Sequence, residues 1–236
     1  MAAPKPSTRA PALTRPPSPR LPPDVCPVFD GAACHAGARR LPYAGRDLDA
    51  QLSAALGGGV SAATVRAVKE ASAFAAESAD AFAAARLAGG TTPHVLPDGT
   101  ALQVPTAELA RCGEALLDPR AAGASSGPRL ADEILLAAKA GLGDQRRGLL
   151  ETMVLAGGGA GMRGFQARLM AELAAAVPAS LRPAVAHCPE YMHDSALRYG
   201  AFTGGCIAAK TVFPQAQHVD RARYHEAGPA CVRRSG

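Results

Sequence analysis

The residues best suited to chemistry are the glycines of one short turn, namely Gly157, Gly158, Gly159, Gly161 and Gly164. Because glycine has no Cβ atom, its backbone adopts positive φ and approaches a ligand closely. A turn that leads into a helix also presents free N–H groups, which attract an anion such as phosphate. The turn is therefore compatible with a phosphate-binding loop, but the same pattern is more often a tight connection that binds nothing.

A strand before this turn and a helix after it would hold the glycines in place. The apolar run from Met153 to Leu155 predicts the strand, and Pro178 marks the end of the helix. Apolar residues four positions apart predict the buried face of that helix: Phe165, Leu169, Leu173 and Val177. The glycine spacing matches neither GxxxxGK(S/T) nor GxGxxG, so it predicts neither of the nucleotide folds that carry those motifs.

Shorter patterns predict the remaining elements. One hairpin joins residues 25–29 to 39–43 through a turn at Asp30 and Gly31, and a second hairpin turns at 96–100 with Asp98 and Gly99 at its tip. Helices are predicted over 47–56, over 61–86 with Ser61 as N-cap, over 130–141 and, after a glycine-containing turn, over 198–213. Strands and helices mix without a repeat of about 20–50 residues, which favours an α/β chain over a solenoid.

The composition argues against several classes of function. The chain has 236 residues, enough for one large domain or two small ones, and a net charge of +5. No run of lysine and arginine is interleaved with aromatic residues, so direct binding to nucleic acid is not predicted. No apolar run is long enough to span a membrane, so no membrane partner is expected. Only 4% of the residues are aromatic, which predicts a core of small side chains.

The spacing of cysteine and histidine predicts no metal site. The six cysteines form no CxxC pair, and the histidines form no HExxH motif. We therefore expect free thiols in a reducing compartment, and we assign neither metal ligands nor catalytic residues. The cysteines are Cys26, Cys34, Cys112, Cys188, Cys206 and Cys231.

Residues 1–24 differ in composition from the rest of the chain. They contain eight of the 20 prolines and four basic residues, with no acidic residue before Asp24. Such a segment buries too little apolar surface to pack a core, and it predicts a disordered or polyproline-like tail. Three alternatives stay open: a mis-joined sequence, an SH3-type ligand at 16–19 and an organellar transit peptide.

Eight short strings occur in one order from residue 25 onward: VCPVFDG (25–31), LPYAGRDLDAQL (41–52), VRAVKEASAF (65–74), LPDGTALQV (96–104), RCGEALLDP (111–119), VLAGGGAGMRGF (154–165), YGAFTGGCIAAKTVF (199–213) and YHEAGPACVRR (224–234). Together they resemble the actin family, which comprises actin and the actin-related proteins. AGRDL, LPDG with EALxxP, and the closing YxExGP are the most specific. The resemblance implies an α/β fold, a partial actin-like (ribonuclease-H-like) ATPase whose second lobe carries an inserted smaller α+β subdomain.

The resemblance also divides the chain. Residues 44–120 match the outer subdomain of the second lobe, and residues 25–43 and 121–199 match its inner subdomain. Residues 200–236 match a segment that packs on the first lobe in the family. Because only the second half of the family's longer chain is matched, we expect an N-terminally truncated protein whose inner subdomain lacks its leading strand. Four apolar residues would then lose their usual partner: Val212, Phe213, Val219 and Tyr224.

In the family, ATP or ADP with Mg²⁺ binds between the two lobes, and the matched half supplies the adenosine side. Ten positions match nucleotide contacts: Gly45, Arg66, Lys69, Glu70, Gly157, Gly158, Gly159, Gly161, Met162 and Arg198. Gly159 stands where a Thr or Ser hydroxyl is common in the family, so one contact is lost. The family's phosphate and magnesium residues lie upstream of residue 25, so we assign no catalytic residue and expect little hydrolysis.

The resemblance gives these positions different roles. Three charged residues, spaced so that they share one helix face, match contacts to base and ribose: Arg66, Lys69 and Glu70. Without the resemblance, the same three would be interpreted as a solvent-exposed charge cluster. Gly45 matches a glycine that lines ribose and adenine, and Arg198 matches a lysine beside the base. Gly161 and Met162 match a bulkier pair near the adenine, so that wall is thinner here.

The segment after EALxxP, residues 120–127, contains no large apolar residue, whereas family members that polymerise carry bulky apolar tips there. The sequence therefore argues against polymerisation and incorporation into filaments. The leading interpretation is a truncated actin-like or actin-related cytoskeletal protein of the cytoplasm. Its partners would be actin, actin-related proteins, actin-binding proteins or complex subunits.

Two alternatives stay open. The first is a non-catalytic actin-related subunit of a dynactin-like or chromatin-remodelling complex, which would also place the protein in the nucleus. The second is an enzyme of the wider actin-like ATPase superfamily, such as a sugar kinase or a chaperone ATPase. The AGRDL and YHEAGP strings argue against that second alternative.

Overall fold

The computed structural model describes residues 24–96, 99–141, 144–186, 196–215 and 218–233. The predicted tail at 1–24 therefore lies outside the described residues apart from Asp24, and so do Asp98 and Cys188. The other five cysteines are free thiols. Strands in the described part form three antiparallel pairs, and helices make up most of the remainder.

Two nested strand pairs open the described chain. β1 (Asp24–Val25) pairs with β4 (Arg39–Arg40), and inside them β2 (Val28–Phe29) pairs with β3 (Ala32–Ala33). The inner pair turns at Asp30–Gly31, where φ is 48° and 81°. Aspartate and glycine tolerate this left-handed conformation better than most residues. The first predicted hairpin is confirmed, with shorter strands than its sequence suggested.

The second predicted hairpin is also present. β5 (Thr91–Val95) pairs with β6 (Ala101–Pro105) along five residues each. The N–H of Leu96 donates to the carbonyl of Thr100 at 2.9 Å, which closes the turn. Val104 on β6 is fully buried, so this hairpin is anchored to the core through one strand.

Ten α-helices lie among the described residues, together with a 3-10 turn at His35–Gly37. They are α1 (Gly45–Ala55), α2 (Ala62–Ser72), α3 (Ala79–Ala88), α4 (Thr106–Leu117), α5 (Leu130–Ala138), α6 (Asp144–Glu151), α7 (Phe165–Ala176), α8 (Ala196–Val212), α9 (Arg221–Ala227) and α10 (Ala230–Arg233). The predicted helices at α1, α5 and α7 are confirmed. The glycine-containing turn predicted at the start of α8 is wrong, because Gly200 lies inside that helix. No helix of the described ranges is long and apolar enough to cross a membrane.

The single helix predicted from Ser61 to Arg86 is wrong, because the structure divides it into α2 and α3. The hydroxyl of Ser61 accepts a hydrogen bond from the N–H of Thr64 at 3.1 Å, so the predicted N-cap is confirmed. A second N-cap begins α3, where the hydroxyl of Ser78 accepts from the N–H of Ala81 at 3.0 Å. Alanine-rich sequence continues on both sides of the break, and propensity alone therefore does not reveal it.

A tertiary contact accounts for the break between α2 and α3. Phe74 forms a parallel bridge with Arg163, and the N–H of Ala75 donates to the carbonyl of Arg163 at 2.8 Å. Two glycines make room for this connecting segment. A Cβ atom on Gly113 would collide with the carbonyl oxygen of Phe74, and one on Gly164 would collide with that of Ala75.

The core packs α1, α2, α4 and α7 together with β6. Leucine and valine occupy its centre rather than the small residues that the composition predicts: Leu41, Leu52, Val65, Val68, Val104, Leu109, Leu117, Leu169 and Leu173. On α7, three residues of the predicted face are buried, which confirms the prediction for Phe165, Leu169 and Leu173. Val177, the fourth, is half-buried and is the C-cap, one residue past the end of the helix. Alanines fill the remaining gaps between these larger side chains.

A buried ion pair joins α4 to α7. Both guanidinium Nη atoms of Arg168 contact the carboxylate of Glu114, at 3.1 and 3.2 Å, and these side chains are 4% and 1% exposed. Arg168 also donates to the carbonyl of Ala76 at 3.1 Å and to Glu172 at 2.8 Å. Burial raises the pKa of Glu114 above its ordinary value, and the charge of Arg168 opposes that shift.

The strand predicted from Met153 to Leu155 is reduced to one parallel bridge between Met153 and Val185. Val154, the middle residue of the predicted strand, is 77% exposed.

The C-terminal helices also expose apolar side chains. Phe213 and Tyr224 are exposed as expected, whereas Val212 and Val219 are half-buried. The division into inner and outer subdomains stays a prediction.

Candidate nucleotide-binding cleft

One cleft of about 1120 Å³ is lined by residues of α1, α2, the glycine turn and α8. Its volume slightly exceeds the usual range of ~300–1,000 Å³ for small-molecule sites. Nine of the ten predicted contact positions line it: Gly45, Lys69, Glu70, Gly157, Gly158, Gly159, Gly161, Met162 and Arg198. Arg66 is the exception, because it lies on α2 without lining the cleft. The fold thus brings together residues from four separate segments of the chain.

The glycine turn forms one wall of this cleft. Gly157 adopts a φ of 99°, and its N–H donates to the carbonyl of Leu197 at 2.5 Å, which ties the turn to α8. A Cβ atom on Gly158 would meet no atom within 4 Å. Within the described ranges, the N–H groups of Gly158, Gly159 and Gly161 donate to no backbone oxygen. Successive N–H groups of this kind form a concave site that suits an anion.

The glycine turn does not itself open the following helix, which corrects the sequence-based expectation. Gly164, with a φ of 78°, is the N-cap of α7. A separate turn lies between the glycines and the helix. In it the N–H of Met162 donates to the carbonyl of Gly159, and the N–H of Phe165 donates to the carbonyl of Met162, both at 3.1 Å. Gly164 is required for the close approach of Ala75 rather than for a ligand. Anion binding would therefore depend on the N–H groups of the turn and not on the helix dipole.

The α2 face departs from its predicted role at two positions. The ammonium of Lys69 lies 2.6 Å from the carboxylate of Asp49 and donates to the carbonyl of Gly45 at 3.0 Å. Arg66 lies 3.9 Å from the other oxygen of Asp49, and its side chain is 58% exposed. Both cations are therefore directed towards α1, which the sequence analysis did not foresee.

Glu70 and Arg198 form an ion pair between α2 and α8 at 3.7 Å, with side chains that are 53% and 66% exposed. The guanidinium of Arg198 also lies 5.9 Å from the ring centre of Tyr199. Arg198 thus lies at the cleft as predicted, but it contacts protein groups in this conformation. A pair this exposed contributes little to stability, so either side chain can turn towards a ligand at small cost.

Beyond the glycine turn, the cleft continues along apolar side chains that the sequence analysis did not identify: Val25, Val28, Ile134, Leu150, Met153 and Leu155. They come from the first hairpin, from α5 and from the segment around the end of α6. Each lies in a pattern that is equally typical of an ordinary core. The sequence predicted a strand, a helix or a hairpin at most of these positions, and such predictions do not distinguish a core face from a cleft wall.

The fold and the cleft together define a partial actin-like protein of the α/β class. The family model described as Actin matches residues 60–236. This match covers most of the chain, so the chain belongs to the actin family.

Curated relatives point in the same direction. Actin-related protein 7 of Arabidopsis thaliana is 33% identical over 217 residues, which cover 89% of this chain and 58% of that relative. Actin-related protein 7 of Oryza sativa, in both the indica and the japonica subspecies, is 34% identical over 216 residues, which cover 89% of this chain and 59% of those relatives. The chain therefore spans less than two thirds of the length of the relatives that it matches.

Proposed function

We propose that this actin-related protein binds the adenosine part of ATP or ADP in the cleft described above. The observation that carries the proposal is the convergence of nine predicted contacts on one cleft. The N–H groups of Gly158 and Gly159 would hold phosphate oxygens. Glu70 and Arg198 would contact the ribose and the base from the opposite side. A bound nucleotide supplies an aromatic ring, two ribose hydroxyls and a negatively charged phosphate chain to these groups.

The residues present fit such a ligand. A Cβ atom at Gly158 would meet open space, so the turn leaves room for a phosphate group at that point. Gly159 has less freedom, because a Cβ atom there would lie 3.2 Å from the side chain of Leu116. Gly159 therefore supports both packing and the open backbone of the turn.

We further propose that this chain alone does not hydrolyse the nucleotide. Among the described cleft residues, the carboxylates are those of Asp24 and Glu70, and each is ion-paired, at 2.8 Å to Arg40 and at 3.7 Å to Arg198. Phosphoryl transfer depends on metal ions and cationic groups around the γ-phosphate. No group of three or more His, Cys, Asp or Glu side chains that could hold a metal occurs in the described part of the chain. The proposal therefore assigns no protein ligand to Mg²⁺.

The binding proposal is tested with a fluorescent ADP analogue and with adenosine. Gly158→Asp places a carboxylate beside the phosphate position, and like charges at close range cost several kcal/mol. We expect the Kd for ADP to rise by at least about tenfold while the Kd for adenosine changes little. Gly148→Asp, on the exposed face of α6, is the matched control and should leave both values unchanged. Equal ADP binding by Gly158→Asp, or none by the unmodified protein, contradicts the proposal.

We propose that the protein is a non-catalytic actin-related subunit of a multiprotein complex and that it does not form filaments. Residues 120–127 lie against the preceding elements: Arg111 donates to the carbonyl of Ala122 at 2.5 Å, and the N–H of Ala124 donates to that of Pro119 at 2.8 Å. This segment presents no large apolar side chain to a neighbour. A cytoskeletal role is the competing proposal. Cosedimentation with actin filaments separates them, because a subunit of a fixed complex stays in the supernatant whereas a filament protein enters the pellet.

A further inference from the structure

The packing of α1 against α2 brings one carboxylate next to a cation of the candidate cleft. Leu48 and Leu52 on α1 are buried together with Val65 and Val68 on α2. Asp49 follows Leu48 directly, so it lies at the edge of this apolar contact. Lys69 follows Val68 in the same way. The apolar packing of the two helices therefore decides that these charged side chains meet.

The two aspartates of α1 have different partners. Asp47 accepts a hydrogen bond from the N–H of Ala44 at 2.8 Å, and so it serves the start of its own helix. Asp49 instead lies 2.6 Å from the ammonium of Lys69 on α2. The side chains of Lys69 and Asp49 are 14% and 20% exposed, so water screens this pair less than it screens the rim pair of Glu70 and Arg198.

Lys69 has a second protein partner in the carbonyl of Gly45, at 3.0 Å. An ammonium has three donors, and the Gly45 carbonyl accepts one of them. The Asp49 carboxylate holds the same ammonium as an ion pair at 2.6 Å. The cation that the sequence assigned to a ligand is therefore directed into the protein, although its side chain lines the cleft.

We propose that Asp49 is a positioning residue that withholds the Lys69 ammonium from the cleft and thereby lowers the affinity of the cleft for a nucleotide. The shielding of Lys69 by Asp49 is the first part, and it depends only on the α1–α2 contact. The lowered affinity is the second part, and it rests on the proposed nucleotide binding. Removal of the carboxylate leaves Lys69 with one weaker partner, the Gly45 carbonyl. The ammonium then becomes available to an acceptor atom of the ligand.

The first part is tested by acetylation of lysines with a water-soluble ester, measured residue by residue by mass spectrometry. The chain has four lysines, at positions 5, 69, 139 and 210, and Lys139 and Lys210 are exposed internal references. We expect Lys69 to react several-fold more slowly than both references in the unmodified protein. Asp49→Asn should raise its rate towards theirs, whereas Asp49→Glu, which keeps the carboxylate, should stay closer to the unmodified protein. Asp80→Asn, an exposed site on α3, removes the same charge as a control.

The second part is tested by ADP affinity in the same variants. Asp49→Asn should bind ADP about tenfold more tightly, because a hydrogen bond to a charged group contributes about 1.5 kcal/mol or more. The gain should disappear in the double variant Asp49→Asn with Lys69→Met, which separates a freed ammonium from a general loss of negative charge. A gain that persists without Lys69 overturns the proposal, as does unchanged ADP affinity in Asp49→Asn.

The two readouts separate the failure of this inference from failure of the proposed function. If no variant binds ADP, nucleotide binding is wrong and so is the effect of Asp49 on it, while acetylation still decides whether Asp49 shields Lys69. If Lys69 reacts as fast as Lys139 and Lys210 in the unmodified protein, the shielding is absent and the proposal fails. That comparison needs no variant, so it holds even if Asp49→Asn does not fold.

Discussion

Two ion pairs of the same chemical type have different consequences in this molecule. Glu114 and Arg168 meet between α4 and α7, where both side chains are at most 4% exposed. Glu70 and Arg198 meet between α2 and α8 with more than half of each side chain exposed. The buried pair joins the connecting segment at Ala76 to the core, whereas the exposed pair lies at the edge of the candidate cleft.

Burial is the physical reason for the difference. A buried charge that loses its partner stays out of contact with water, so hydration does not compensate for the lost interaction. An exposed charge regains hydration at once, and its contribution to stability is small. The comparison indicates that the buried pair helps to hold α4 and α7 together, while Glu70 and Arg198 can exchange their partners at little cost in stability.

The largest expected effect comes from breaking the buried pair. Arg168→Met leaves the carboxylate of Glu114 buried without a partner, while Glu172 keeps an ion pair with Arg129 at 3.2 Å. We expect a loss of about 3–5 kcal/mol in the free energy of unfolding, measured by urea denaturation. Arg198→Met is the matched control and should change it by less than about 1 kcal/mol. Equal effects of the two substitutions would remove the distinction between the pairs.

Replacement of both members of the buried pair sharpens the same test. Glu114→Leu combined with Arg168→Met removes both charges, and two apolar side chains of similar size avoid the desolvation cost. We expect the double variant to recover most of the stability that Arg168→Met loses. No recovery would mean that Arg168 acts chiefly through its hydrogen bond to the carbonyl of Ala76.

The glycines around the connecting segment have the next largest expected effect. Gly164→Ala introduces a Cβ atom that collides with the carbonyl of Ala75, at a position whose φ of 78° already disfavours alanine. Strain and overpacking together should lower the free energy of unfolding by about 2–3 kcal/mol. Gly148→Ala is the control, because a Cβ atom there meets nothing within 4 Å in the helix α6. It should stabilise the protein by up to about 1 kcal/mol, and a loss there would show that alanine is harmful for a different reason.

The smallest expected effect concerns two cysteines, because the thiol of Cys112 is buried and that of Cys206 is exposed. Burial raises the pKa of Cys112 to about 11, whereas Cys206 is exposed on α8. Since the folded protein keeps the Cys112 proton to a higher pH than the unfolded chain, this group makes stability fall as pH rises between about 9 and 11. At pH 8, iodoacetamide should modify Cys206 many times faster than Cys112, and urea should remove the difference. Fast modification of Cys112 in the folded protein would contradict the buried position of α4.

Part of the local structure was predictable from the sequence, whereas the role of the candidate site residues stays a prediction. The glycine turn, the Ser61 cap and the apolar face of α7 follow from local chemistry and periodicity, and nine of ten contacts transferred from the family resemblance line one cleft. The failures have a common cause. The break after α2, the reduced strand at Met153 and the partner of Lys69 all depend on contacts between residues that are distant in the sequence.

The sequence by itself determined the class of the protein and pointed to nine positions that line the cleft, although not to its apolar wall, because motifs and periodicity can be recognised along the chain without knowledge of its packing. Only the tertiary structure decided how the charges pair. Lys69 and Glu70 are adjacent in an alanine-rich helix, yet one is directed towards Asp49 and the other towards Arg198. The packing of α1 against α2 through their buried leucines and valines sets the partner of Lys69. Glu70 meets Arg198 of α8 through an exposed contact outside that core.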